Sequence, residues 1–316
     1  MDEKTPLVVD LAWPLSPRRD DAMPAEPLHG GAGPADAYAT ALAREAAAVG
    51  PDFADGRLVA VRLVGGTPSM MTGAQLRRVM RAVREGFGVG EPDASAAAGQ
   101  DGPKPTFTLG IGVRCATVDL LSRADAAFRL RPEARLVSAV DAELQAIGAD
   151  WDHDALRLFA ELLRCRGVDD WGVQVGVGLP LQTARSTRYT VDRVLELGAT
   201  HVELAPFAAR AGTAVAARAE AGELALGNAA ELAEVAGERL RAAGYEAYGD
   251  GCYALPGRRD PWREAVAAGA AVVGAGLGAH SHFDGLEAWN TTDFAAYVAA
   301  PDDPLVAVAR CVPAVA

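Results

Sequence analysis

Short runs of β-branched and aliphatic residues alternate along this chain with longer stretches whose apolar positions recur at helical spacing. Leu7–Trp13 opens the series as a strand. A loop over 14–34, dense in Pro, Gly and charge, separates it from a helix over 35–49. In the second run Val59, Val61, Leu63 and Val64 are too uniformly apolar for a one-sided sheet, and the run breaks at Gly65-Gly66-Thr67-Pro68-Ser69. Thr72 then opens a helix with Gln75 as its capping-box partner, and Leu76, Val79, Met80, Val83 and Phe87 form its apolar stripe. An insertion-like stretch covers 88–105. The same alternation then predicts strands at 107–113, 135–140, 173–179 and 201–207, with helices at 117–130, 153–166, 184–197 and from Asn228, partnered by Glu231, to Gly244. Beyond Gly244 come a mixed stretch (245–255), a short helix (260–270) and a glycine-rich strand or turn (272–281).

Six βα units in strict alternation predict a parallel sheet with helices outside it. Six are too few for a closed eight-stranded barrel, so a doubly wound sheet and an open barrel both fit the pattern. The natural division is a βα domain over 1–244 and a C-terminal extension over 245–316. The glycine turn after strand two lies at a strand's carboxyl end, where α/β proteins place their sites.

Composition narrows the partners. The chain has 316 residues, is 50% hydrophobic and carries a formal net charge of −12. That charge argues against nucleic acid and anionic membranes, which need basic patches. Cys115, Cys165, Cys252 and Cys311 are scattered without metal-type spacing, as expected of thiols in a reducing cytoplasm. No basic apolar leader and no uninterrupted apolar span of about 18 residues appears, so neither secretion nor membrane spanning is expected.

Several groups could carry chemistry, each with a plainer structural alternative. Gly65, Gly66, Thr67 and Pro68 could form a cradle of backbone amides for a small ligand, or simply a tight βα turn. His280 and His282 share one face of an extended segment and could ligate a metal or heme iron; a zinc site wants three or four ligands, and exposed imidazoles are the alternative. Asp10, Asp20 and Asp21 with His29 could hold a hard cation, or form a solvated loop. Glu203, near His201 on strand six, could point inward as an acid or base. Arg18 and Arg19 could meet an anionic substrate. Trp13 and Trp262 could line an aromatic pocket or pack in the core.

Taken in order, several motifs resemble one family. Gly65-Gly66-Thr67-Pro68-Ser69 followed by Leu76 is similar to a GGGTPS-x-L motif, with Val64 at its first glycine. Tyr38-Ala39-Thr40-Ala41-Leu42 with Glu45, Gly178-Leu179-Pro180-Leu181-Gln182-Thr183, Leu197-Gly198-Ala199-Thr200-His201-Val202 with Gly212-Thr213, Gly244-Tyr245-Glu246-Ala247-Tyr248, and Gly278-Ala279-His280-Ser281 with Trp289-Asn290 follow in the right order. Together they resemble the oxygen-independent coproporphyrinogen III oxidase and heme-chaperone family of radical S-adenosylmethionine (SAM) proteins. The resemblance implies an open six-stranded (β/α)6 partial TIM-like barrel, with Gly65–Pro68 as a SAM cradle and porphyrin or heme as further ligands. It also implies a [4Fe–4S] cluster on C-x3-C-x2-C after strand one, but the matching positions are Pro14, Arg18 and Asp21, and no cysteine precedes Cys115. Other expected ligand positions fall at Gly110, Val137 and Gln174, and the chaperone motif HN-x-x-YW falls on Trp262-Arg263 and Val266-Ala267. The family's further C-terminal domain has no counterpart in 245–316. The expectation is therefore a degenerate relative without the cluster, acting as a pseudoenzyme or as a binding protein for a small molecule or protein partner. An enzyme with repurposed SAM or metal chemistry, and a tetrapyrrole binder using His280 or His282, are the alternatives.

Overall fold

The computed structural model describes residues 5–16, 28–29, 32–90, 104–149, 151–209, 211–249, 251–303 and 308–313. Among these, β1 (Pro6–Trp13), α1 (Ala32–Val49), β2 (Arg57–Gly65), α2 (Gly73–Gly86), β3 (Thr106–Gly112), α3 (Val118–Ser122) and β4 (Arg129–Val137) follow in order. Then come α4 (Asp141–Ala146), α5 (His153–Cys165), β5 (Gly172–Val177), α6 (Ala184–Leu197), β6 (His201–Pro206), α7 (Ala214–Glu220) and α8 (Ala229–Ala242). The rest comprises β7 (Glu246–Gly249), β8 (Cys252–Ala254), α9 (Pro261–Ala267), β9 (Ala271–Ala275), β10 (His280–Phe283), β11 (Leu286–Asn290), α10 (Phe294–Ala299) and β12 (Val308–Pro313).

One mixed sheet carries every one of these strands in the order β12-β11-β10-β9-β1-β2-β3-β4-β5-β6-β8-β7. From β1 to β6 neighbours in sequence are neighbours in space and run parallel. A doubly wound sheet reverses its strand order at a switch point; this one does not, so the sheet is an open barrel wall. Residues 245–313 continue the same sheet on both flanks. β9 pairs parallel with β1, and β8 pairs antiparallel with β6.

Two sequence expectations need correction. The helix expected over 117–130 is only α3, and the strand expected over 135–140 is β4, which starts at Arg129. β4 alternates Arg129, Arg131, Glu133 and Arg135 with Leu130, Pro132 and Ala134, a period-2 pattern whose charges disguise a buried strand. Asp170 is the missing partner, 2.7 Å from Arg129 and 3.6 Å from the fully buried Arg131. The loop over 14–34 also holds a short parallel pair, Leu15–Ser16 with Leu28–His29.

Local signals act as read at Thr72 and in part at Asn228, whose partner Glu231 returns no side-chain bond. Thr72 and Gln75 complete a reciprocal capping box on α2. Asn228 Oδ1 accepts from Glu231 N at 3.3 Å to cap α8. The main core lies between the outer face of the sheet and the helices, where Leu7, Val9, Leu11, Val61, Leu63, Phe107 and Leu109 meet Leu42, Leu76, Val79 and Met80. On the inner face, Trp262 of α9 packs against Val8 and Ala60 and closes the barrel floor.

The two ends of the chain are joined through one buried carboxylate. Glu45 of α1 accepts from Gly276 N (2.7 Å), Asn290 Nδ2 (2.5 Å) and Tyr297 Oη (2.5 Å). Tyr38, two turns earlier, donates to Ala12 O and accepts from Leu277 N. Glu45→Ala strands three buried donors, so it should cost roughly 3 kcal/mol or more, whereas Tyr297→Phe should cost about 1 kcal/mol. Thermal and urea denaturation of the two variants check the ranking; equal stabilities would contradict it.

Candidate binding cavity

At the carboxyl ends of the strands, above the α9 floor, the inner face of the sheet encloses a cavity of about 460 Å³, within the range of small-molecule sites. Gly65, Gly66, Thr67 and Pro68 border it, with Gly110, Gly112, Cys115 and Trp151 around its wall. Arg62, Glu133, Arg135, Gln174, Glu203 and Arg263 line it as well.

The glycine turn is built first for its own chain. Gly65 has φ of +114°, and a Cβ there would lie 2.6 Å from Trp13 O; at Gly66 a Cβ would lie 2.3 Å from Leu15 O. Gly66 N donates to Trp13 O and Thr67 N to Leu15 O, so these two amides are already engaged. Thr67 Oγ1 hydrogen-bonds Ser16 Oγ at 2.9 Å, and Ser69 Oγ accepts from Gly112 N at 3.0 Å. The turn thus ties the ends of β1, β2 and β3 together. A ligand beside it meets a glycine wall rather than free Gly66 and Thr67 amides. The Gly178–Gln182 turn is likewise self-contained, since buried Gln182 accepts from Gly178 N and Leu179 N and donates to Gly176 O.

The interior is ionic. Arg62 makes a two-point contact with Asp10 (3.1 and 2.8 Å), and its guanidinium lies 3.5 Å above the Trp262 ring. Arg263 pairs with Glu203 at 2.7 Å. Arg135 donates to Gly65 O at 3.0 Å, linking β4 to the glycine turn. Among the described residues the nearest cation to Glu133 is Arg131, 4.0 Å away. Burial, reinforced by the negative charges of Glu203 and Asp260, pushes the Glu133 carboxyl up to about 7. His201 is fully buried and hydrogen-bonds Tyr248 Oη at 2.5 Å; burial and then the charges of Arg131 and Arg263 hold it well below the usual imidazole range. Burial also pushes the Cys252 thiol up to about 11, so it is protonated at neutral pH.

Of the residues singled out from sequence, the fold brings Gly65–Pro68, Glu203 and Gln174 to the cavity, with Asp10 reaching it through Arg62. Trp262 forms the floor, while Trp13 is fully buried and meets Tyr38 edge-on in the core. His280 and His282 are elsewhere, exposed on β10 near Glu287 at 3.9 and 3.7 Å, with His280 stacked on Trp289. Arg18, Arg19, Asp20 and Asp21 lie outside the described residues, as does the side chain of His29. Sequence reasoning missed Arg62, Glu133 and Arg135. The available signal was a charge placed at alternate positions of an otherwise apolar strand.

A thiolate-held cluster can be tested against the donors. Pro14 follows β1 directly and offers no side-chain donor, and the four cysteines sit after β3, at the end of α5, on β8 and on β12. Among the described residues no group of three or more His, Cys, Asp or Glu is placed to hold a metal ion. The four cysteines, all among the described residues, are not gathered into one thiolate set. No described helix is long and apolar enough to cross a membrane.

No protein family's sequence profile matches the chain, and no curated protein matches its sequence. Solved structures do match. The Escherichia coli coproporphyrinogen III oxidase, a radical SAM enzyme, aligns with a TM-score of 0.79 at 20% identity, over 99% of this chain and 73% of its own. The likeness is one of fold, an open and mostly parallel α/β barrel wall as in that enzyme. Methanocaldococcus infernus Elp3 aligns with a TM-score of 0.49 at 14% identity, over 75% of this chain and 54% of its own. Streptococcus suis SuiB aligns at 0.44 and 15%, over 66% and 41%.

Burial raises Glu45 from its ordinary 4.5 to about 7, as it does with added charge repulsion at Glu133. A carboxyl raised in the folded state stabilises the fold fully below its unfolded value and loses that contribution as pH rises through its folded value. These two sites should therefore make the chain less resistant to urea at pH 8 than at pH 5. The Glu133→Gln variant should show a flatter profile across that window; a wild-type profile that rises over it would contradict the assignment.

Proposed function

We propose that this chain is a cluster-free binding protein on a radical SAM barrel, holding a small ligand in the cavity and performing no reductive SAM cleavage. The observation that carries this reading is the end of β1. Pro14 stands at the first cluster position, and Leu15 and Trp13 supply carbonyls to the glycine turn where the resemblance places the cofactor. Reductive cleavage needs an electron donor held against the sulfonium, and no cysteine precedes Cys115. SAM, and a porphyrin or heme, are the ligands the resemblance nominates for the cavity. A protein partner is the role left if none of them binds. The thiols are free, which suits a reducing cytoplasm.

Anaerobic reconstitution with iron and sulfide should leave iron far below one cluster per chain, and dithionite with SAM should yield no 5′-deoxyadenosine. Stoichiometric iron and sulfide would end this reading. Native mass spectrometry with SAM and then heme separates a retained ligand from a purely protein-binding role.

A second reading has one observation in its favour. Glu133 titrates near neutrality on the cavity wall beside Glu203, the condition for general acid–base work on a bound ligand without any cluster. Ligation of heme or metal by His280 draws no such support, because β10 lies on the antiparallel flank, away from the cavity lining.

A further inference from the structure

A second concavity lies on the outer surface, between α2 and the end of α3. It is an open groove of about 610 Å³ lined by Arg77, Arg78, Arg81, Arg84 and Arg123. In a chain of net charge −12 this is a local reversal of sign. Three of the five are partly neutralised: Arg78 by Asp36 (3.2 Å), Arg84 by Asp125 (3.4 Å) and Arg123 by Asp119 (2.9 Å). Arg77 and Arg81 are exposed and have no carboxylate partner among the described residues.

The spacing says what would fit. Residues i and i+4 of a helix are about 6 Å apart along its axis, and alternate residues of an extended strand are about 6.6 Å apart on one face. The Arg77 and Arg81 pair therefore matches acidic side chains two positions apart on an extended peptide. Guanidinium and carboxylate pair in a planar, two-point geometry. A single small anion would need guanidiniums converging on one point, whereas these are strung along a helix.

We propose that the α2–α3 groove docks an extended acidic segment of a partner protein, its alternate carboxylates seated on Arg77 and Arg81. This surface is separate from the barrel cavity and does not depend on what the cavity binds.

The test is fluorescence anisotropy of the full chain with a labelled peptide of alternating Glu and Thr. Saturable binding at low salt is expected, weakening as salt rises. The Arg77→Glu/Arg81→Glu variant should bind at least about tenfold more weakly with an unchanged Tm. The Arg185→Glu/Arg188→Glu variant, on exposed α6 positions, makes the same change in net charge and should bind like wild type. Absence of peptide binding, or equal weakening by both variants, would overturn the proposal. So would displacement of the peptide by millimolar inorganic phosphate, or tighter binding of a single-stranded oligonucleotide of matched charge.

Discussion

The Glu45 carboxylate is the contact on which the rest of this structure leans. It gathers a backbone amide from the end of β9, a side-chain amide from β11 and a hydroxyl from α10 onto the first helix. Tyr38 on the same helix holds the last turn of β1 against the same loop. Three donors meet one buried acid, so removing the carboxylate leaves all three in a medium that cannot replace water. Through this knot β9 is held beside β1, and the open sheet gains a wall on the side where a closed barrel would carry further strands.

The residues that carry the family resemblance turn out to be mostly residues that build turns and joints. Gly65 and Gly66 admit the carbonyls of Trp13 and Leu15, Gln182 folds the chain back after β5, and Asn290 completes the Glu45 network. Their work is done in the backbone. That is a physical reason for a fold to persist at 20% identity with the E. coli enzyme. Here the interior is a set of ion pairs, Arg62 with Asp10 and Arg263 with Glu203, around a Glu133 whose nearest cation, Arg131, stands 4.0 Å away. Such an interior suits recognition of charge or movement of a proton.

Much of the fold was legible before any coordinates. Apolar runs and helical stripes report burial directly, because burying an aliphatic residue is favourable in nearly any packing arrangement. Capping signals at Thr72 and Asn228 are equally local, since each completes its hydrogen bond within one turn. β4 escaped because its evidence is not local: Arg131 is acceptable in a strand only with Asp170 beside it, and the two are far apart in sequence.

The sequence by itself determined the alternation of strands and helices, the tight turns, and the lack of cysteine donors after the first strand. These depend on residue type and near neighbours, and no tertiary arrangement can alter them. Only the tertiary structure decided between an open barrel and a doubly wound sheet, because strand order is set by which crossovers pack together. Only it placed Glu203, Glu133 and Gln174 around one cavity and left His280 on the antiparallel flank, since a strand's pleat and register fix which face each side chain takes. It also found that two amides of the glycine turn are taken by the chain's own carbonyls, because a hydrogen-bond donor's availability depends on what the fold brings within reach.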